Sequence, residues 1–303
     1  MSIEKICGYL LALVAAPLLL GVINRTKAFF AGRRGQPLFQ AYHDIFKLLR
    51  KGAVYSTTVT AVFRAGPPAS LAAVLLALLF VPFGPVPAVF SFQGDFLLVA
   101  YLLGVMRFCT VNAAMDTGSS FEGMGASREV QFAALAEPAL LLGMAVIVRT
   151  TGNLSLSGAL QSFASCLTTG SAPVTILLLA AWMIVFLAEN SRIPFDDPNT
   201  HLELTMIHEV MVLDHGGPDF ALIQWGAALK MWVLGALVVN LLVPSVAGGE
   251  IAGAGIFLGG MLALAAAAGT VESTMARFRL LRVPQLLVAA GSFSILALIL
   301  VLR

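Results

Sequence analysis

Charge is what this 303-residue chain has least of. Asp, Glu, Lys and Arg make up 11% of it, against roughly 25% in a soluble domain, so water is not its main solvent. Eighteen Lys and Arg against sixteen Asp and Glu leave a net charge of +2. No basic surface dominates, which excludes a nucleic-acid partner. A mean hydropathy of +0.92 excludes disorder, which needs the reverse balance. Cysteine is equally sparse. Cys7, Cys109 and Cys166 lie far apart with no CxxC or Cys/His spacing, which argues against a disulfide scaffold, an iron–sulfur cluster or a zinc site. They read as packing residues.

Motifs of soluble catalysis are missing too. There is no GxxxxGK[ST] loop, no GxGxxG after a strand and no GxSxG elbow. His208-Glu209 invites comparison with HExxH, but Val212 stands where the second histidine would be. His201, His208 and His215 are seven apart, about 10.5 Å on a helix, too far to share one zinc ion. This chain is expected to bind no metal or cofactor and to carry no catalytic centre of its own.

What is present is apolar sequence, 59% of the total. Runs near 6–23, 68–90, 96–115, 130–149, 173–188, 220–243, 251–271 and 284–302 reach or approach the roughly 20 residues of a membrane span. The expectation is an all-α polytopic protein, one membrane domain of eight helices over 1–303. The first run outlasts a typical signal-peptide core and its basic cluster follows it, so it reads as a retained span. Pro67/Pro68, Pro82, Pro85, Pro87, Pro173, Pro218, Pro244 and Pro284 fall at or near span edges. Gly255 and Gly259 form a small-xxx-small step that would let another helix approach.

Thirteen Lys and Arg lie in the odd-numbered connections and three on the other side. The positive-inside rule then makes the odd connections cytoplasmic, with both termini facing outward from the cytoplasmic membrane. Two of these connections, 25–66 and 189–219, are too long to be turns. In the first, Leu38, Phe39, Tyr42, Ile45, Phe46 and Leu49 form a helical stripe, with His43, Asp44, Lys47 and Arg50 largely off it. That is an amphipathic helix, lying either along the membrane surface or packed beneath a partner or this protein itself. The second holds seven acids, one arginine and three of the four histidines.

Ionisable groups also fall inside or at the ends of spans: Arg107, Asp116, Glu129, Glu137, Glu189, Lys230 and Glu272. Each carries a cost of about 2.5–3.5 kcal/mol at mid-bilayer. Glu129 and Glu137 are about 12 Å apart along a helix axis, one near the cytoplasmic surface and one well inside. Arg107 and Asp116 lie on opposite sides of one helix, so each must meet groups on other helices. Carboxylates leading inward to Lys230 suit proton movement, because burial brings both group types toward neutral pKa; interhelical ion pairs that only hold the bundle are the alternative.

The stretches GRRGQPLFQAYHDIFKLLRK (32–51), DTGSSFEGMGASRE (116–129) and AENSRIPFDDPNTHLELTMIHE (188–209) together resemble the membrane subunit of energy-converting group 4 [NiFe] hydrogenases and formate hydrogenlyases. This family is related to the H (ND1) subunit of respiratory complex I. The resemblance implies a bacterial or archaeal subunit at the junction between a redox arm and an ion-pumping membrane arm. It also implies partners: a hydrogenase large subunit with the [NiFe] centre, an iron–sulfur small subunit, and antiporter-like membrane subunits.

By resemblance, Glu137 corresponds to the fourth-helix glutamate of the family's buried polar channel, and Glu189 to the one opening the fifth-helix loop motif. Asp196, Asp197, Glu203 and Glu209 lie in the stretch that forms an acidic loop beside the quinone cavity in complex I relatives. The run DDPNTHLELTMIHE and Glu129 depart from the complex I pattern and match the hydrogenase branch, which weighs against quinone binding. The expected proton relay is Glu129, Glu137, Glu189, Glu203, Glu209, Asp116 and Lys230. Docking of the redox arm is expected at Arg33, Arg34, Asp44, Lys47, Arg192, Asp196, Asp197, His201 and His208. The expected function is anchoring that arm and coupling electron transfer to proton or sodium translocation. The alternatives are a quinone-reactive H-type subunit, a stand-alone transporter and a passive anchor.

Overall fold

The computed structural model describes residues 3–165, 172–196, 206–243 and 250–303. Among the described residues helix predominates and no strand occurs. Eight helices are long and apolar enough to span a bilayer: α1 (Ile3–Phe30), α3 (Ala61–Leu78), α4 (Asp95–Asp116), α5 (Ser120–Thr151), α7 (Ala172–Glu189), α8 (Gly217–Asn240), α9 (Glu250–Thr274) and α10 (Val283–Leu302). Two shorter α-helices, α2 (Gln40–Leu49) and α6 (Leu156–Ser165), lie among the described residues as well. The chain is a multi-pass membrane protein. The connections after α1, α4, α7 and α9 emerge at one end, the loop end.

The axis of the bundle is α8. It is 72% buried over its most apolar stretch, against 22–50% for the other spans. From Met231 to Val239 it is apolar on all sides, as a helix enclosed by others must be. Helices α1, α3 and α9 pack around it, α4 lies against α3, and α10 crosses α5 and α7. Close crossings use small residues. A Cβ at Gly269 of α9 would lie 2.9 Å from the Ile23 carbonyl oxygen of α1. The expected step at Gly255 and Gly259 is not one of these crossings, for both face open space; Gly260, against Val239, makes the α8 contact instead.

Two spans begin earlier than apolarity alone suggests. The second is α3, not 68–90. Thr60 caps it, its hydroxyl accepting from Val62 N–H, and Pro67 and Pro68 sit inside the helix instead of at its edge. Beyond Leu79 the apolar run turns on itself at Phe83–Val86, where Pro82, Gly84, Pro85 and Pro87 break helical hydrogen bonding. The fourth, α5, starts ten residues before the apolar run because its polar first turns pack against the chain at 207–212. Helix α6 lies outside the eight apolar runs, although Leu156, Ala159, Leu160, Phe163 and Ala164 form its buried stripe.

The amphipathic helix exists as α2, packed on α1 and α8. The Gly21 Cα meets the Leu38 carbonyl without room for a side chain, and the Tyr42 hydroxyl donates to the Val14 carbonyl. Phe39, Phe46 and Leu49 remain exposed, whereas Ala41, Asp44 and Ile45 turn inward. Asp44 is thus on the inner side, correcting its expected place away from the packed face.

Candidate functional site

Arg107, just beyond the middle of α4, is the hub of the buried polar residues. Its Nη2 donates to both carboxylate oxygens of Glu189 at 2.6 and 2.7 Å. Nη1 pairs with Glu137, and Nε stands 3.4 Å from Glu129 without hydrogen-bond alignment. Lys230 of α8 completes the group, its Nζ 2.9 Å from Glu189. Four helices therefore converge through five side chains. Glu189 ends α7, where the helix dipole opposes a negative charge; the two cations offset this. Three carboxylates face two cations, so one negative charge of the cluster is left over.

The cluster borders two openings. An internal cavity of about 320 Å³ runs from α2 and α1 to Lys230, lined also by Asp44, Glu129, Arg192, His208 and Glu209; it has room for several waters. A side pocket of about 70 Å³ lies between α4 and α5, lined by Tyr101, Leu141 and Glu137. Arg107 and Glu189 line both. Glu137 keeps 47% of its side chain exposed, on the same outer face as Tyr101 at 72%.

Of the expected relay, Glu129, Glu137, Glu189 and Lys230 meet here, and Glu209 borders the cavity. Glu203 lies outside the described residues, as do Asp197 and His201. Asp116 is elsewhere, which corrects its relay assignment. It accepts from Thr60 N–H at 2.7 Å, Thr60 Oγ1 at 2.8 Å and Phe63 N–H at 3.2 Å, satisfying amides at the start of α3 that lack helical partners. Arg107 was expected only to meet groups on other helices; that it joins three carboxylates is set by tertiary packing, which no local spacing announces.

Among the docking candidates, Arg33, Arg34 and Lys47 are exposed. Asp44 accepts from Gln40 Nε2 at 2.8 Å. Asp196 and Arg192 are internal ties, a correction to their expected roles. Asp196, 1% exposed, accepts from Ile207 N–H at 2.9 Å and His208 N–H at 3.3 Å and pairs with Arg277 at 3.0 Å. Arg192 pairs with Glu272 at 3.4 Å, and Glu272 with Lys27 at 2.7 Å. These ions clamp the start of the 190–216 connection to α1 and to the end of α9. Among the described residues, no three His, Cys, Asp or Glu are grouped to hold a metal ion.

The profile of the NADH dehydrogenase family matches residues 4–302. The chain is 32% identical over 234 residues to hydrogenase-4 component C of Escherichia coli (strain K12), covering 77% of this chain and 72% of that one. It is 29% identical over 296 residues to formate hydrogenlyase subunit 4 of the same organism, covering 96% and 95%. The H-type component of NADH-quinone oxidoreductase from Verminephrobacter eiseniae (strain EF01-2) is more distant, at 24% over 249 residues, 77% of this chain and 68% of that one. In fold, the chain resembles one from the membrane-bound sulfane sulfur reductase (MBS), an archaeal respiratory membrane complex. The TM-score is 0.80 at 22% identity, over 97% of this chain and 100% of the other.

Proposed function

Because the chain belongs to the NADH dehydrogenase family, matched along nearly its whole length, we propose that it is the non-catalytic membrane subunit of a hydrogenase or formate hydrogenlyase complex. Its role is to anchor the redox arm and couple electron transfer to proton, or sodium, movement. The similarity to hydrogenase-4 component C and formate hydrogenlyase subunit 4 supports this branch over the quinone-reducing one. The redox arm comprises a large subunit with the [NiFe] centre and an iron–sulfur small subunit, which hold the metals. Antiporter-like membrane subunits complete the complex. The excess of Lys and Arg at the loop end supports a cytoplasmic position for that end, with both termini outward in a bacterial or archaeal cytoplasmic membrane.

The observation that carries the coupling role is Arg107, held among three carboxylates between two openings. A hydrated cavity brings protons from the loop end to Glu129, Glu189 and Lys230. Glu137 presents the outer end of the same group to the α4–α5 face, where a neighbouring membrane subunit takes the proton on. An electron arriving beside the 190–216 connection adds negative charge near the cavity wall and draws a proton into a cluster already one positive charge short. The exposed Arg33, Arg34 and Lys47 are the docking cations.

Affinity purification from native membranes tests this. The chain should bring down a protein with paired CxxC motifs and bound nickel; isolation as a single species that moves solute in vesicles would instead identify a transporter. One observation favours the quinone-reactive reading, namely that Gln40, Ala41, Asp44 and Ile45 of α2 line the internal cavity. Photolabelling of cavity residues by a quinone analogue would support that reading, and its absence at saturating probe would exclude it.

A further inference from the structure

A second group of titratable side chains, unused by the relay, sits at the loop end where the turn before α8 meets the starts of α3 and α5. His215 lies flat on Phe63, ring centroids 3.9 Å apart and planes within 6°. Glu122 of α5 accepts from Asp214 N–H at 3.1 Å. His215, Glu122 and Asp219 are all more than nine-tenths buried. One polar atom of each, His215 Nδ1, Glu122 Oε2 and Asp219 Oδ2, is enclosed without a hydrogen-bond partner. Buried polar atoms left unsatisfied are costly, and three along one connected group call for an explanation.

Among the described residues, the surroundings hold no buried cation. Asp214 and Asp219 face the imidazole from its own segment. Glu122 reaches it from α5 through Asp214. Tyr55, ahead of α3, faces Asp219, and Arg64 of α3 lies over the Tyr55 ring, 4.5 Å from its centroid, exposed to solvent. Asp116 of α4 is occupied with Thr60 and Phe63. Asp214 and Asp219 therefore bear on the imidazole directly and Glu122 through Asp214, and the enclosed oxygens and ring nitrogen are atoms whose hydrogen bonding changes with protonation.

This group also fixes one end of the cavity wall. Met211 and Val212 line the internal cavity and pack with Ala126 and Ile223. The segment carrying them is held after residue 212 by the Glu122–Asp214 bond and the His215–Phe63 stack. We propose that Glu122, His215 and Asp219 form a second protonation site, separate from the Arg107 cluster, whose occupancy sets how firmly residues 206–216 hold the cavity wall.

Burial pushes the His215 imidazole below its ordinary value, outweighing the opposite pull of Asp219 and Asp214. The packed arrangement thus favours the neutral ring. Its contribution to stability is present above the ordinary histidine value of about 6.5 and is lost as pH falls through the lower folded value.

Amide hydrogen exchange over 206–216 tests the site, using the full-length chain in lipid nanodiscs with rates corrected for intrinsic exchange. Between about pH 8 and about pH 5.5, protection in the unsubstituted chain should fall by about threefold or more. His215→Phe, which keeps the stacked ring without its titration, should abolish that fall. Glu122→Gln, which keeps the acceptor for Asp214 but removes a charge, should at least halve it. A flat profile in the unsubstituted chain, or an unchanged fall in either variant, would overturn the proposal.

Discussion

Arg107 and Glu189 are joined by two hydrogen bonds of 2.6 and 2.7 Å, and this pair lines both the internal cavity and the side pocket. A charged contact therefore stands between the two spaces. An apolar plug at the same place could separate the spaces but could not hand on a proton.

Removing the hub should destabilise the bundle. Arg107→Met leaves Glu129, Glu137 and Glu189 with Lys230 as the remaining cation of the cluster, and breaking a buried ion pair from one side costs about 3–5 kcal/mol. Adding Glu189→Gln should restore part of the loss, since the two residues share one interaction. Thermal unfolding in detergent should rank the double variant above Arg107→Met. Equal loss in both would show that Glu189 is not the principal partner.

The clamp at the loop end gives a different ranking. Glu272, with a side chain 0% exposed, is shared by Arg192 and Lys27. Glu272→Gln strands the buried Arg192 and should cost about 3–5 kcal/mol, whereas Lys27→Met removes a cation that is 22% exposed and leaves Glu272 its pair with Arg192, and should cost less. Melting temperatures of the two variants check the order.

Gly125 is where α5 admits the chain segment that walls the cavity. A Cβ there would strike Val210 and come within 2.9 Å of the Ile207 carbonyl oxygen. Gly125→Ala should cost about 1–3 kcal/mol through overpacking and raise amide exchange at 206–212. Gly123→Ala, with open space around it, should do neither.

The eight spans were legible because span length and hydropathy are local properties of the sequence. Their edges were less so. Pro67 and Pro68 read as a boundary, yet Thr60 and Asp116 cap a helix that runs through them. The polar start of α5 read as a connection because its packing partner lies some eighty residues away. Glu129, Glu137, Glu189 and Lys230 stood out because intramembrane charge is rare. Their convergence on Arg107 could not be read, since helix periodicity says which residues share a face but not which helices meet. Asp196 and Arg192 looked like surface docking charges for the same reason: Arg277 and Glu272, their partners, come from the far end of the chain.

The central claim is that the Arg107 cluster passes protons to the α4–α5 face through Glu137. It is tested most directly by proton uptake and release, measured per electron transferred, in vesicles containing the assembled complex with Glu137→Gln. The account predicts translocation reduced by about a hundredfold, the lower end of what a positioned proton-transfer group contributes, with the complex still assembled. Translocation and turnover both unchanged would contradict it and leave the cluster as a structural knot.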